Sequence, residues 1–251
     1  MKKGKIRRPL SYSSIKEFMK SPNHLLSYWD REKVTTPAML KGTLIHTLLL
    51  EPEKMEKEYA TWLGGRRAGN EYKTFQEENQ GKTIIKPEEL EEAEKIIKNA
   101  KNNVLLNLKK GVELEILWKM NLIPFRGFVD FYGAGFIGDV KTCSDASPKA
   151  FQRDFVKFKY YIQAFLYGHA NETLMFAGEN PDYFILAVET SPPYNSQMYK
   201  VSTEFIEKGK EEVHKALQDF EKWDGEPAGY EFYDLLEENG VITLNLPEWM
   251  Q

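Results

Sequence analysis

The stretch from Val112 to Thr142 constrains the fold more than any other part of this chain. Between Val112 and Trp118, Val112, Leu114, Ile116 and Trp118 fall on one side and Glu113, Glu115 and Leu117 on the other. That strict two-residue period belongs to a half-buried strand. IPFRGFVDFYGAGFIGDVKT follows, two β-rich runs joined by Gly133-Ala134-Gly135, and reads as a hairpin. Three successive strands with an apolar face need helices or a second sheet to cover them.

The flanks supply helices. In SYSSIKEFMKSP, Ser13 or Ser14 can cap a short helix burying Ile15, Phe18 and Met19, with Pro22 helping to stop it. AMLKGTLIHTLLL reads as an apolar helix ending near Pro52, and Pro87 opens a charged surface helix. Gly64 to Asn70 reads as a loop. After the hairpin, Ser147 and Pro148 start a helix whose apolar stripe runs Phe151, Phe155, Phe158, Ile162, Phe165 and Leu166. YFILAVET and QMYKVS read as strands, and EFIEKGKEEVHKALQDFEKW as a closing amphipathic helix. The order predicts a mixed sheet flanked by helices, α/β or α+β, with an added N-terminal helical region.

Length and composition limit the alternatives. At 251 residues the expectation is a single domain over 1–251: a mainly helical region 1–110, a core 111–225 and a tail 226–251. No apolar run approaches the roughly 20 residues of a membrane span, and no signal-peptide core follows the basic start. The expected location is the cytoplasm, with no membrane partner. Cys143 is the one cysteine, which excludes an internal disulfide, a thiolate zinc site and a cysteine-held iron–sulfur cluster in a monomer. A net charge of −4 does not announce a nucleic-acid binder. Lys2, Lys3, Lys5, Arg7 and Arg8, and separately Arg66, Arg67 and Lys73, nevertheless form basic stretches that can make a positive face on an acidic protein.

The chemistry gathers on the hairpin. Asp139 and Lys141 are two apart on a strand and point the same way, about 6–7 Å apart, and hairpin pairing can bring Asp130 beside them. An isolated Asp-x-Lys is also what a simple surface ion pair looks like. Two carboxylates and a lysine at the end of otherwise apolar strands, however, are tolerated when they are paired or hold metal. Carboxylate oxygens suit Mg²⁺ or Mn²⁺, which complete their shell with water and substrate phosphate. A neighbouring lysine can orient the attacking water or stabilise the charged phosphate.

GFVDF followed by IGDVKT, with Glu113 upstream and YYIQAFLYG downstream, resembles the PD-(D/E)XK nuclease superfamily in its exonuclease form. Asp130 matches the first acid of that motif, Asp139 the second and Lys141 the lysine. Gln163 and Tyr167 match the Q-A-x-x-Y helix element of lambda-exonuclease-like and RecB-like nucleases, and Gly42 and His46 match a G-x-x-x-H segment. LSYSSIKEFMKSP, RRAGNEYKTFQEENQGK and AVETSPPY are similar to blocks of the exonuclease VIII (RecE) C-terminal nuclease family of phages and prophages.

The resemblance implies a restriction-endonuclease-like core and hydrolysis of linear double-stranded DNA, 5′→3′, in phage-type recombination. Mg²⁺ is the implied cofactor, with Mn²⁺ as a substitute. Asp130 and Asp139 are its implied ligands, assisted by the Val140 carbonyl and completed by His46 and Glu113, with Glu115 as the substitute for Glu113. Lys141 and Gln163 would place the attacking water, and Tyr167 would touch DNA or a catalytic group. Arg66, Arg67, Lys73, Arg126 and Ser13 are the expected DNA contacts. The implied partners are DNA ends, a RecT-like single-strand annealing protein and further copies in a trimeric or tetrameric ring, all in a bacterial host. The alternatives are another nuclease of the superfamily, acting on single strands or cutting internally, and a non-catalytic DNA-binding protein of the same fold.

Overall fold

The computed structural model describes residues 5–32, 34–233 and 240–243. Lys2, Lys3 and most of the expected tail lie outside the described residues. The chain divides into two compact units, one of residues 34–117 and 127–209, the other of residues 1–33, 118–126 and 210–251.

In chain order the elements are α1 (Tyr12–Phe18), α2 (Pro22–Asp30), α3 (Pro37–Leu50), α4 (Met55–Glu58), β1 (Tyr59–Thr61), α5 (Asn70–Glu78), β2 (Thr83–Ile85), α6 (Pro87–Ala100) and α7 (Val104–Asn107). There follow β3 (Gly111–Met120), β4 (Ile123–Gly133), β5 (Phe136–Cys143), α8 (Pro148–Lys157), α9 (Tyr160–Leu174), β6 (Asp182–Glu189), β7 (Ser196–Lys200) and α10 (Thr203–Lys222). Among the described residues no helix is long and apolar enough to cross a membrane.

The larger unit holds β5, β6 and β7 and most of β3 and β4, strands that follow the order β3-β4-β5-β6-β7 in one five-stranded sheet. Antiparallel β4–β5 and β6–β7 pairs flank a parallel β5–β6 pair, so the sheet is mixed. The predicted hairpin turns at Ala134-Gly135, where Gly135 takes φ +80° without the steric penalty a side chain would meet. Its register pairs Phe131 with Gly138, which places the next residues inward, Asp130 and Asp139, side by side. One face of the sheet offers Val140, Leu186 and Val188 to a core completed by Leu44, Ile45 and Leu48 of α3 and Ile96 and Ile97 of α6. Asp139 and Lys141, alternating with Val140, turn to the opposite face, where α9 lies. A separate parallel pair, β1–β2, was not expected from the sequence.

In the smaller unit, Phe18 of α1 packs edge-on against Phe220 at 5.2 Å and beside Trp223 at 5.6 Å, both from the C-terminal part of the chain. Leu10 bridges to Phe125, which stacks on Trp118 at 5.3 Å.

Three local expectations are corrected. Ser11, not Ser13 or Ser14, caps α1; Ser14 is its reciprocal partner in a capping box. Pro22 opens α2 at its first turn, with Ser21 as cap, because proline's missing N–H costs nothing there. The single helix expected after Pro148 is two: Lys159 adopts a left-handed backbone, φ 56°, between α8 and α9. That residue turns the chain, so Phe151 and Phe155 belong to one helix and Ile162, Phe165 and Leu166 to the next.

Candidate metal centre

All the residues of the candidate site belong to the larger unit. Its first contributor is α3, whose apolar faces are locked into the core by Leu44, Ile45, Leu48 and Leu49. His46, four residues after Gly42 and hence on the same side, faces a cleft of about 600 Å³ lined also by Met39, Thr43, Glu51 and Glu113. A Cβ at Gly42 would meet only Thr142 Oγ1 at 3.6 Å, so packing within the protein does not demand a glycine there.

The second contributor is the edge strand β3. Glu113 has φ 47°, a left-handed conformation that breaks the two-residue alternation. Glu113 and Glu115 therefore do not share a face as the strict period suggested. Glu115 is exposed, while Glu113 joins His46 and Asp130 in a group whose ligand atoms all lie within 4.8 Å of one another.

The third contributor is the β4–β5 pair. Asp130 Oδ2 accepts the Val140 N–H at 2.6 Å and lies 3.7 Å from His46 Nδ1. Asp139, 1% exposed, is not a member of the three-residue group. Its Oδ1 accepts from Gln163 Nε2 of α9 at 2.7 Å, and Lys141 Nζ stands 2.5 Å from its Oδ2. That second contact is a close charge-assisted pair between the ammonium and the buried oxygen. Tyr167, one turn beyond Gln163, accepts the Phe128 N–H on its hydroxyl at 3.3 Å. It packs so closely on Gly127 that a Cβ there would lie 2.6 Å from its ring.

The electrostatics suit a divalent cation. Burial, and then the charge of Glu51, push Glu113 up to about 7. Burial, and then Asp139, push Asp130 well above the ordinary carboxylate range. Burial outweighs the attraction of Asp139 at His46 and lowers its pKa, leaving the neutral imidazole that ligates metals. At Lys141 burial acts downward, but Asp139 and then Asp130 outweigh it and the net displacement is upward. The donor set of two carboxylates and a neutral imidazole fits a divalent cation such as Mg²⁺ or Mn²⁺.

The remaining expected contacts are placed elsewhere. Arg66 and Arg67 sit in the loop before α5 and Lys73 on that helix, all exposed. Arg67 is engaged by Glu89 and the Ile84 carbonyl. Ser13 and Arg126 belong to the smaller unit. Sequence reasoning missed two neighbours of the site. Glu51, whose charge acts on Glu113, was visible only as part of an acidic run, and Tyr160, whose ring faces Lys141, carried no signal of its own.

A family model described as "PDDEXK-like domain of unknown function (DUF3799)" matches residues 11–226. No curated protein matches the sequence. Among solved structures, the crystal structure of a protein titled "Putative exonuclease", from Eubacterium rectale, shares 16% sequence identity with a TM-score of 0.60, covering 95% of this chain and 91% of that one. At that identity the likeness is one of fold.

Proposed function

The chain belongs to the PDDEXK-like family DUF3799, and from that membership we propose a metal-dependent exodeoxyribonuclease that hydrolyses linear double-stranded DNA from its ends. The observation that carries the reading is the placing of His46, Glu113 and Asp130 within mutual ligand distance, beside the pair of buried Asp139 and partly exposed Lys141.

His46, Glu113 and Asp130 would hold the cation, with the Val140 carbonyl and Asp139 adjoining, and Mg²⁺ is the proposed ion. When bound, such an ion neutralises charge on a phosphate and makes a water more acidic. The chain's own residues do the rest. Lys141 presents its ammonium where negative charge develops at phosphorus and can orient a water through its N–H groups. Asp139 fixes that ammonium, and Gln163 fixes Asp139. Tyr167 ties α9 to the strand carrying Asp130 through the Phe128 N–H.

The finer parts of the proposal rest on the resemblance to the exonuclease VIII family: 5′→3′ polarity, a role in recombination beside a RecT-like annealing protein, and a bacterial cytoplasmic setting. A homotrimeric or homotetrameric ring is proposed because a chain with net charge −4 has little global hold on DNA. A closed ring would retain the duplex between cuts.

End-labelled linear, nicked and covalently closed DNA, incubated with and without Mg²⁺, tests the reading. Release of labelled nucleotides from linear duplex alone, abolished by EDTA, is expected. Cutting of closed circles would shift the reading to an endonuclease, and the absence of any metal-dependent cleavage would refute it. Light scattering with a trap-DNA processivity assay tests the ring.

A further inference from the structure

Lys141 has two neighbours that matter, and the sequence pointed to only one of them. On one side is the Asp139 carboxylate at 2.5 Å. On the other is the ring of Tyr160, with Lys141 Nζ 5.0 Å from its centroid. We infer that Tyr160 is the positioning residue for Lys141, presenting its π face to the ammonium and holding it against Asp139 while leaving its N–H donors for water and phosphate. This inference rests on the nuclease reading for its catalytic consequence.

Three observations support it. First, the distance and placement are those of a cation–π contact, which draws Arg or Lys charges to within about 6 Å of a ring centroid. Such a contact is electrostatic and needs no particular N–H to point at the ring. An ammonium has three donors and no acceptor. A hydrogen-bonding partner in place of Tyr160 would occupy one of them.

Second, the ring is itself fixed. Phe151 lies 6.4 Å from it in a stacked arrangement, Phe155 meets it edge-on at 6.2 Å, and Phe158 lies tilted at 5.6 Å. Three phenylalanines of the apolar stripe thus brace one tyrosine. Phe151 is in turn stacked on Tyr199 of β7 at 5.0 Å.

Third, the backbone is bent at the residue before it. Lys159 takes φ 56°, an uncommon conformation for a residue with a side chain, and Tyr160 is the first residue of α9. Three residues later on the same helix comes Gln163, which holds the other oxygen of Asp139. Residues three apart share a helical face. The first turn of α9 therefore grips the Asp139–Lys141 pair at two points, the carboxylate through Gln163 and the ammonium through Tyr160.

The test compares Tyr160→Phe, which keeps the ring, with Tyr160→Leu, which removes it, in the full chain, with thermal melting to confirm folding. Protein labelled with ¹³Cε-lysine reads the contact directly. The wild type and Tyr160→Phe should show one ε-methylene signal displaced upfield by the ring, absent from Lys141→Arg and from Tyr160→Leu. In Mg²⁺-supported cleavage of linear duplex, Tyr160→Leu should lose about tenfold in kcat with KM for DNA little changed, while Tyr160→Phe should keep most of the rate. No upfield lysine signal in the wild type would overturn the placement. Equal kcat for wild type and Tyr160→Leu, or equal loss in both variants, would overturn the role. A wild type that cleaves nothing would be a failure of the nuclease reading instead, and the lysine spectrum would still decide whether Tyr160 holds Lys141.

Discussion

Gln163 Nε2 donates to Asp139 Oδ1 at 2.7 Å inside the protein, joining a helix to the strand that carries the central carboxylate. Both residues are buried, Asp139 to 1% and Gln163 to 6% exposure. A buried charged acceptor stripped of its donor bears the full desolvation penalty, about 1–3 kcal/mol or more. Gln163→Leu is therefore expected to lower unfolding free energy by about that amount and to slow cleavage, with Gln163→Glu worse because it faces one carboxylate with another. Urea unfolding in EDTA measures the first effect. A Gln163→Leu protein as stable as the wild type would mean that the hydrogen bond holds nothing.

Metal binding and cleavage should separate by residue. Glu113→Ala removes a proposed ligand, so affinity for Mn²⁺ should fall by more than the roughly 10–100-fold that loss of an outer partner costs. Lys141→Ala should abolish cleavage and leave Mn²⁺ affinity close to the wild-type value, because Lys141 contacts Asp139 and lies outside the group of His46, Glu113 and Asp130. Calorimetric titration decides the matter; comparable metal loss in both variants would contradict this division.

Arg66 and Arg67 should not behave alike. Arg67 is held by Glu89 and the Ile84 carbonyl, so Arg67→Ala should loosen the loop. Arg66 and Lys73 are exposed, and if both touch phosphates their double alanine variant should flatten the salt dependence of DNA binding by about 0.9 per contact in the log–log slope. An unchanged slope would return them to ordinary solvated surface.

Cys143 offers a pH readout. Burial, and then the nearby Glu189 charge, push its thiol up to about 11. The thiolate is the reactive form, so alkylation by iodoacetamide should be slow at pH 8 and rise about tenfold per pH unit until the pH approaches 11. As Cys143 is the only cysteine, mass spectrometry reads the rate without ambiguity. A rate that levels off near pH 8.5 would show an unperturbed thiol.

The strands were legible because a two-residue apolar period and glycine punctuation are local signals. Val112 to Trp118, the Gly133-Ala134-Gly135 turn and YFILAVET all lie within strands or turns of the sheet. The mixed sheet followed from their order. What stayed hidden depends on tertiary contacts. Nothing near Lys159 in sequence announces a left-handed residue, since the stripe from Phe151 to Leu166 continues across it; the packing of Tyr160 among three phenylalanines accompanies the break. The β1–β2 pair has three residues in each strand, too few for a periodic signal. At the site, Asp130, Asp139, Lys141 and Gln163 were visible as a pattern, whereas the side on which Glu113 stands was set by a single backbone angle.

That angle carries a trade-off. A non-glycine residue at φ 47° bears roughly 1–2 kcal/mol of steric strain that glycine does not, and the half-buried Glu113 carboxyl adds repulsion from Glu51 and Asp139 when ionised. With no cation bound, β3 is thus strained at Glu113, and it should grow sturdier when the proposed ligand is deleted. Glu113→Gly is expected to melt higher than the wild type in EDTA and to lose that lead once Mg²⁺ is added, because the wild type, with its full donor set, gains more stability from the ion. Selection for thermal robustness alone would act against Glu113, so under the proposed metal assignment the strain in β3 serves binding at the expense of stability.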